Sequence, residues 1–369
     1  ADSWRAIGEP GKALEAVRDA WHNNSLERDV EREVLSTYGK QLTQDDHRAR
    51  VEFLLWTNQR TAASKLKYLL TSDYRKLVDA RIALAARSRN VDALVDAVPA
   101  NLQDNPGLLY ERAKWRRQKL RNQDVATPLL TGIDGNDIPE AGRSRLWDER
   151  NIAIRTDLKD GNWSRAYQLA SPHGMESGGD FAEAEWVSGW IALRLKNDAD
   201  RSLQHFETMS DGVSTPISLA RGKYWAGRAR DALGQPDAAR TDYTAAAEHK
   251  FTYYGQLAAE RLDDKKLAFP KTSEPTAEEI SAFEDKPMVQ ALRLLGESGE
   301  ERLFREFAYH MDDLLETESE YLLLARIATE YQVPDVGVRG AKAGLAKGIV
   351  STDAAYPVVA YPLLREPQV

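Results

Sequence analysis

The chain reads as an all-α protein, a TPR-like superhelix of helical hairpins, on three observations. Large apolar anchors recur at Tyr110, Trp147, Trp186 and Tyr224, in steps of 37, 39 and 38 residues. Each is followed 19 or 20 residues later by a second anchor: Leu130, Tyr167, Phe206 and Tyr243. Elsewhere apolar residues such as Leu66, Leu69, Leu70 and Leu77 recur at the spacing of one helix face, while strand-like alternation is almost absent. A lone helical hairpin cannot bury its apolar face, so two anchors per unit at a period near 38 predict units that stack into a solenoid.

Composition agrees with that reading and removes several function classes. A chain of 369 residues is too long for one compact core, whereas a solenoid grows along one axis. Its hydrophobic fraction of 42% and charged fraction of 29% describe a folded chain rather than a disordered one. The net charge of −8 lacks the basic footprint of a nucleic-acid binder. Arg112 and the run Lys114–Lys119 are locally basic but flanked by Glu111 and Asp124, so they read as a solvated helix face, with an anionic-partner patch as the alternative. No apolar run approaches the roughly 18 residues of a membrane span. Zero cysteines exclude disulfides and thiolate chemistry. Ala1-Asp2-Ser3-Trp4 has neither a basic n-region nor an apolar h-region, so the expectation is that a signal peptide has been removed or lies outside this sequence.

Along the chain, short turn signals punctuate the helical pattern: Asn23-Asn24-Ser25, Thr71-Ser72-Asp73, Asn105-Pro106-Gly107, Asp134-Gly135-Asn136, Asp160-Gly161-Asn162 and Gly234-Gln235-Pro236. In the last, Gly234 suits the left-handed position past a helix end, and Pro236 suits the first helical position, where a missing N–H costs nothing. Small residues between the anchors, as in Ala182-Glu183-Ala184 and Ala226-Gly227-Arg228-Ala229, predict close antiparallel packing. Trp147, Trp186 and Trp225 read as core anchors. Trp163 and Trp190 read the same way, with a sugar-stacking platform as the second reading. Ser171–Asp180 is a Gly-rich loop between repeat helices; Ser171 and His173 there suggest a nucleophile and base, but no motif surrounds them and a turn is the simpler account.

Composition shifts at Phe269–Pro275, which places a boundary near residue 270. The superhelical domain is therefore 1–270 and a smaller helical linker domain 271–355. Thr276 three residues before Glu279 is a capping box that starts a helix, and Met288–Leu295, Leu303–Leu315 and Tyr321–Tyr331 form three more. The stretch 356–369 carries three prolines and reads as an extended stub.

Motifs for chemistry are missing. The six histidines are isolated in sequence, no pair sits at i, i+4, and Asp134–Asp137 lacks calcium-loop spacing, so no metal and no cofactor is expected. There is no phosphate loop, dinucleotide fingerprint or nucleophile elbow. The acidic pairs Asp45-Asp46, Asp263-Asp264 and Asp312-Asp313 sit in polar contexts and read as solvated carboxylates with ordinary pKa values.

Several separated segments, in order, resemble the helical region of periplasmic soluble lytic transglycosylases. They are Asn162–Gly174, Phe181–Arg194, His205-Phe206, Gly212–Ser218 and Thr252–Leu262, and the likeness runs from about residue 50 to the end. The resemblance implies a helical superhelix closed into a ring with a linker domain, on which a lysozyme-like catalytic domain sits. It implies a parent enzyme that cleaves the β-1,4 bond between N-acetylmuramic acid and N-acetylglucosamine of peptidoglycan, giving 1,6-anhydro products. That chemistry needs one carboxyl group kept protonated by burial. The family's Glu-Ser pair and Gly-Leu-Met-Gln segment do not occur here, and Gly340–Ala346 is only an echo of the latter. No catalytic residue transfers to this chain.

The resulting expectation is a non-catalytic scaffold acting in the periplasm. It would support the missing catalytic domain in cis and contact peptidoglycan glycan strands, with Trp163, Trp190, Tyr253 and Tyr254 as glycan-contact candidates. The rival reading is a stand-alone helical-repeat adaptor that clamps partner peptides, often by a terminal carboxylate. β-rich layers, or a deep pocket with a buried acid inside the helical frame, would overturn the scaffold reading.

Overall fold

The computed structural model describes residues 1–121, 123–264 and 272–357, and among these every regular element is a helix. The turn signals fall at helix ends as expected. Asn105 accepts from the Leu108 N–H with Pro106 at the first helical position, and Gly234 takes φ 70° just before the Pro236–Ala247 helix. The Thr276–Glu279 capping box forms with both of its hydrogen bonds.

Two compact units divide the chain, Ala1–Thr208 and Met209–Val369. In the first, the Pro10–Asn23, Gln44–Trp56 and Ser72–Ala85 helices pack around Trp21, Phe53, Leu54, Leu77 and Val78. The predicted repeat follows. Tyr110, Trp147 and Trp186 lie in the Pro106–Trp115, Glu140–Lys159 and Gly178–Leu195 helices, and their second anchors Leu130, Tyr167 and Phe206 lie in Thr127–Thr131, Trp163–Ala170 and Ala199–Asp211. In the second unit, Tyr224 and Tyr243 occupy the paired Pro216–Ala232 and Pro236–Ala247 helices.

The register of the hairpins comes from glycine beneath an aromatic ring. A Cβ on Gly189 would lie 2.7 Å from the Phe206 ring, and one on Gly227 would lie 2.7 Å from the Tyr243 ring. Each glycine stands three residues after its unit's first anchor, on the helix face that meets the second. The absent side chain lets the two helices close until the ring fills the gap. Gly142 beneath Trp56 and Gly344 beneath Tyr321 repeat the device.

Beyond residue 275 the Ala277–Glu284, Pro287–Glu297, Glu301–Leu314 and Glu318–Glu330 helices enclose Phe283, Phe304, Tyr321 and Leu324. Pro334–Ala346 adds a helix that its glycine content conceals in the sequence; Gly337 and Gly344 face Ala325 and Tyr321 too closely for any side chain. The boundary segment 265–271 and the part 358–369 of the expected stub lie outside the described residues.

Two expectations about charge are overturned. Asp46 is buried in a capping box with Thr43, where it also meets His22 at 2.9 Å and Arg18 at 3.3 Å. Burial pushes its carboxyl up, but the Thr43, His22 and Arg18 interactions outweigh that and hold it below the ordinary value. Asp312 is also buried, and there burial wins over the Arg339 ion pair and raises its pKa. The basic run is not a solvated helix face either. Arg112 and Lys114–Gln118 are half-buried, the α-helix stops at Trp115, and Arg116–Leu120 forms a π-turn in which Arg117 pairs with the buried Glu149.

Candidate functional site

The candidate glycan-facing aromatics fall into different surroundings. Trp163 opens the Trp163–Ala170 helix and is 44% exposed, so its indole face is open to solvent. Trp190 stands one turn after Trp186 on the same helix, and the two indoles stack at 6.4 Å and 29°. Both are half-buried against the core around Trp147 and Ile191, which places Trp190 nearer the anchoring role. No ring contact joins Trp163 to Trp190 among the described residues.

Tyr253 and Tyr254 are brought together. Thr252 caps their helix by accepting from the Gly255 N–H, and its own hydroxyl donates to the His249 carbonyl at 2.8 Å. A Cβ on Gly255 would strike that carbonyl at 2.0 Å, so the tight Thr-Tyr-Tyr-Gly start requires glycine. The two tyrosine rings meet edge to face at 5.1 Å. Tyr254 packs on Tyr224 at 5.5 Å and on Trp225 at 6.5 Å. The Arg228 guanidinium lies 5.8 Å from the Trp225 ring and donates to the Tyr224 hydroxyl at 3.1 Å.

Tyr253 is thus an exposed ring, 68% accessible, against Tyr254, whose own base of Tyr224 and Trp225 carries the Arg228 cation. A pyranose presents an apolar face and a rim of hydroxyls, and a ring with neighbouring hydrogen-bond donors matches both. Sequence reading missed Tyr224, Trp225 and Arg228 as members of this ledge, because the repeat assigned the first two to the core and nothing local marked Arg228.

A second cluster went unseen because its members are scattered in sequence. Glu185, 7% exposed, accepts from His173 Nε2 at 3.0 Å and from His205 Nδ1 at 2.5 Å. The Met175 N–H donates to His173 Nδ1 at 3.0 Å, which fixes the proton of that ring on Nε2. Tyr167 meets the remaining His205 nitrogen at 2.8 Å. Burial pushes Glu185 up, but the two histidine hydrogen bonds outweigh it and hold the carboxyl below its ordinary value. A carboxyl held below its ordinary value is ionised near neutral pH and does not suit a general acid. Both His173 nitrogens are occupied, which removes it as a base for Ser171. The cluster ties the Ser171–Ser177 loop to the flanking helices, helped by Arg150 donating to the Pro172 carbonyl at 2.8 Å.

The carboxyl that burial does raise in this unit is Glu111, opposed by Arg81, Lys114, Arg145 and Arg60. It lines a polar hollow of about 50 Å³, below the roughly 300–1,000 Å³ of pockets that enclose a drug-sized ligand. The hollow does not admit a glycan strand across this acid. Among the described residues no cluster of His, Cys, Asp or Glu has metal-binding geometry, and no helix is long and apolar enough to cross a membrane.

No family model matches the sequence. No curated protein matches it either. Among solved structures, an inactive variant of the lytic transglycosylase Slt from Pseudomonas aeruginosa is similar over 96% of this chain and 56% of its own, at 18% identity and a TM-score of 0.56. The 70 kDa soluble lytic transglycosylase from Escherichia coli is similar over 96% of this chain and 55% of its own, at 16% identity and a TM-score of 0.49, which adds no weight. The chain therefore spans little more than half the length of these structures. The likeness to Slt establishes that the all-α helical architecture read from the repeat is one adopted by a known protein.

Proposed function

We propose that this chain is the superhelical and linker part of a soluble lytic transglycosylase, acting in the periplasm as a non-catalytic scaffold that holds glycan strands for a catalytic domain. In this reading 1–270 is the superhelical domain, 271–355 the linker domain and 356–369 the lead into the catalytic domain. The parent enzyme would cleave the N-acetylmuramic acid to N-acetylglucosamine bond of peptidoglycan to 1,6-anhydro products. The observation that carries the reading is the fold match across 96% of the chain, taken with the ordered motifs Asn162–Gly174, Phe181–Arg194 and Thr252–Leu262. The exposed Tyr253 on its aromatic base supports a glycan contact, and Trp163 supports a second.

Titration of the chain with soluble N-acetylglucosamine oligomers, followed by calorimetry, tests the glycan contact. Aromatic packing contributes about 0.5–1.5 kcal/mol, so Tyr253→Ala is expected to weaken binding by roughly two- to tenfold. Trp190→Phe, in the half-buried stack, should leave affinity nearly unchanged. Equal affinity of Tyr253→Ala and the unaltered chain would remove Tyr253 from the site.

A further inference from the structure

The acidity of the whole chain hides a segregation of charge. Residues 60–121 hold fourteen Lys and Arg against six Asp and Glu, a net +8, so the remainder of this −8 chain carries −16. Charge concentrated in this way acts on partners within about 10 Å whatever the overall sign. The fold gathers part of it at one edge of the first unit. The Gln44–Trp56, Ser72–Ala85 and Pro106–Trp115 helices end around a hollow lined by Asn58, Ala85, Lys114 and Gln118. Arg87, just past the second of these helices, donates to the Gln118 side-chain oxygen at 2.7 Å and so joins two of the ends.

Arg87, Arg89, Lys119 and Arg121 are exposed there and make no ion pair among the described residues, whereas Arg117 pairs with the buried Glu149. Asp92 and Asp124 are the exposed carboxylates next to them in sequence, and neither pairs with these cations. A cation in the last turn of a helix offsets the helix dipole, but Arg87, Arg89 and Arg121 lie past the last turns, so helix capping does not account for them. One apolar side chain stands among these charges. Leu120, between Lys119 and Arg121, is 55% exposed at the end of the π-turn, and Arg121 then takes φ 53°, the left-handed conformation that turns the chain back. A soluble polyanion has no use for an exposed leucine. An anionic lipid surface has, because its phosphates attract the cations while the headgroup layer takes up the apolar side chain.

We propose that this edge docks on the surface of an anionic phospholipid bilayer, with Arg87, Arg89, Lys119 and Arg121 against lipid phosphates and Leu120 in the headgroup layer. The attachment is peripheral, since no described helix is long and apolar enough to cross a membrane. Its strength comes from charge, so it weakens with salt. The inference does not rest on the glycan reading, and its probes contain no glycan.

Flotation of the full chain with phosphatidylcholine vesicles, with and without phosphatidylglycerol, tests it. The chain should float only with the anionic vesicles, and raising the ionic strength from about 0.05 M to about 0.5 M should release it. Each Lys or Arg near an anionic surface is worth about fivefold, so Arg87→Gln combined with Arg89→Gln should weaken vesicle binding at least about tenfold, with an unchanged helical circular dichroism spectrum. Leu120→Ser should weaken vesicle binding several-fold and leave binding to soluble polyphosphate unaltered. Equal flotation with neutral vesicles, flotation with neither, or full binding by the double variant would overturn the proposal. So would a Leu120→Ser variant that holds anionic vesicles as tightly as the unaltered chain, and if that variant also binds polyphosphate the edge belongs to a soluble polyanion instead.

Discussion

At Gly189 and Gly227 one missing methyl group sets the distance between two helices. Alanine in place of a helical glycine ordinarily stabilises by about 1 kcal/mol. Here the added carbon meets the Phe206 or Tyr243 ring at 2.7 Å, and overpacking of that kind costs about 1–3 kcal/mol. Gly189→Ala is therefore expected to lower stability in urea unfolding, and a gain would show that the helices separate without penalty. Glu185 makes a prediction of opposite character. Its folded pKa lies below the ordinary 4.5, so its contribution is complete above that value and is lost as pH falls through the folded value. Glu185→Gln should destabilise the chain near neutral pH by about 1–3 kcal/mol and flatten the acid limb of stability against pH. Trp163 and Tyr253 stood out in the sequence as glycan-contact candidates with core packing as the first reading, and it is the structure that places both rings at the surface. Glu111, Glu185 and the buried Asp46 were not legible, since a carboxylate's environment is set by neighbours on other helices that no local pattern names.

The helices hold together at their turns as much as along their faces. Three arginines, Arg50, Arg81 and Arg150, are fully buried. Arg150 donates to the Leu130 carbonyl at 3.2 Å, to the Ile133 carbonyl and to the Pro172 carbonyl, closing the ends of two neighbouring elements. Burial pushes its pKa down to about 10, only partly offset by Asp134, and it remains charged at neutral pH. Arg150→Met leaves those carbonyls unpaired and should cost at least about 3 kcal/mol in urea unfolding, whereas a neutral result would mean that water replaces the guanidinium. The Thr276 capping box is a milder case, and Thr276→Ala should cost about 0.5–2 kcal/mol. Helix starts were readable where a turn signal or capping box stood out, as at Asn105-Pro106, Gly234-Gln235-Pro236 and Thr276–Glu279, while the capping boxes at Thr43 and Thr317 went unread. Pro334–Ala346 was not readable either, because its glycines lower helix propensity and only the ring of Tyr321 and the backbone of Ala325 explain them.

For the molecule as a whole, the two-anchor period was the most legible feature, because stacking imposes the same spacing on every hairpin. It returned in the structure with the first anchor in one helix and the second in the next from Tyr110 to Tyr243. The aromatic ledge was half legible: Tyr253 and Tyr254 stood out, while their base of Tyr224, Trp225 and Arg228 comes from a hairpin earlier in the chain. The proposed role is that of a helical frame that holds glycan without cutting it. Incubating the chain with purified peptidoglycan sacculi, then following both sedimented protein and released 1,6-anhydro muropeptides in one sample, tests that most directly. The account predicts that the chain sediments with the sacculi and that no product is released; a chain that stays in the supernatant, or one that liberates muropeptides by itself, would contradict it.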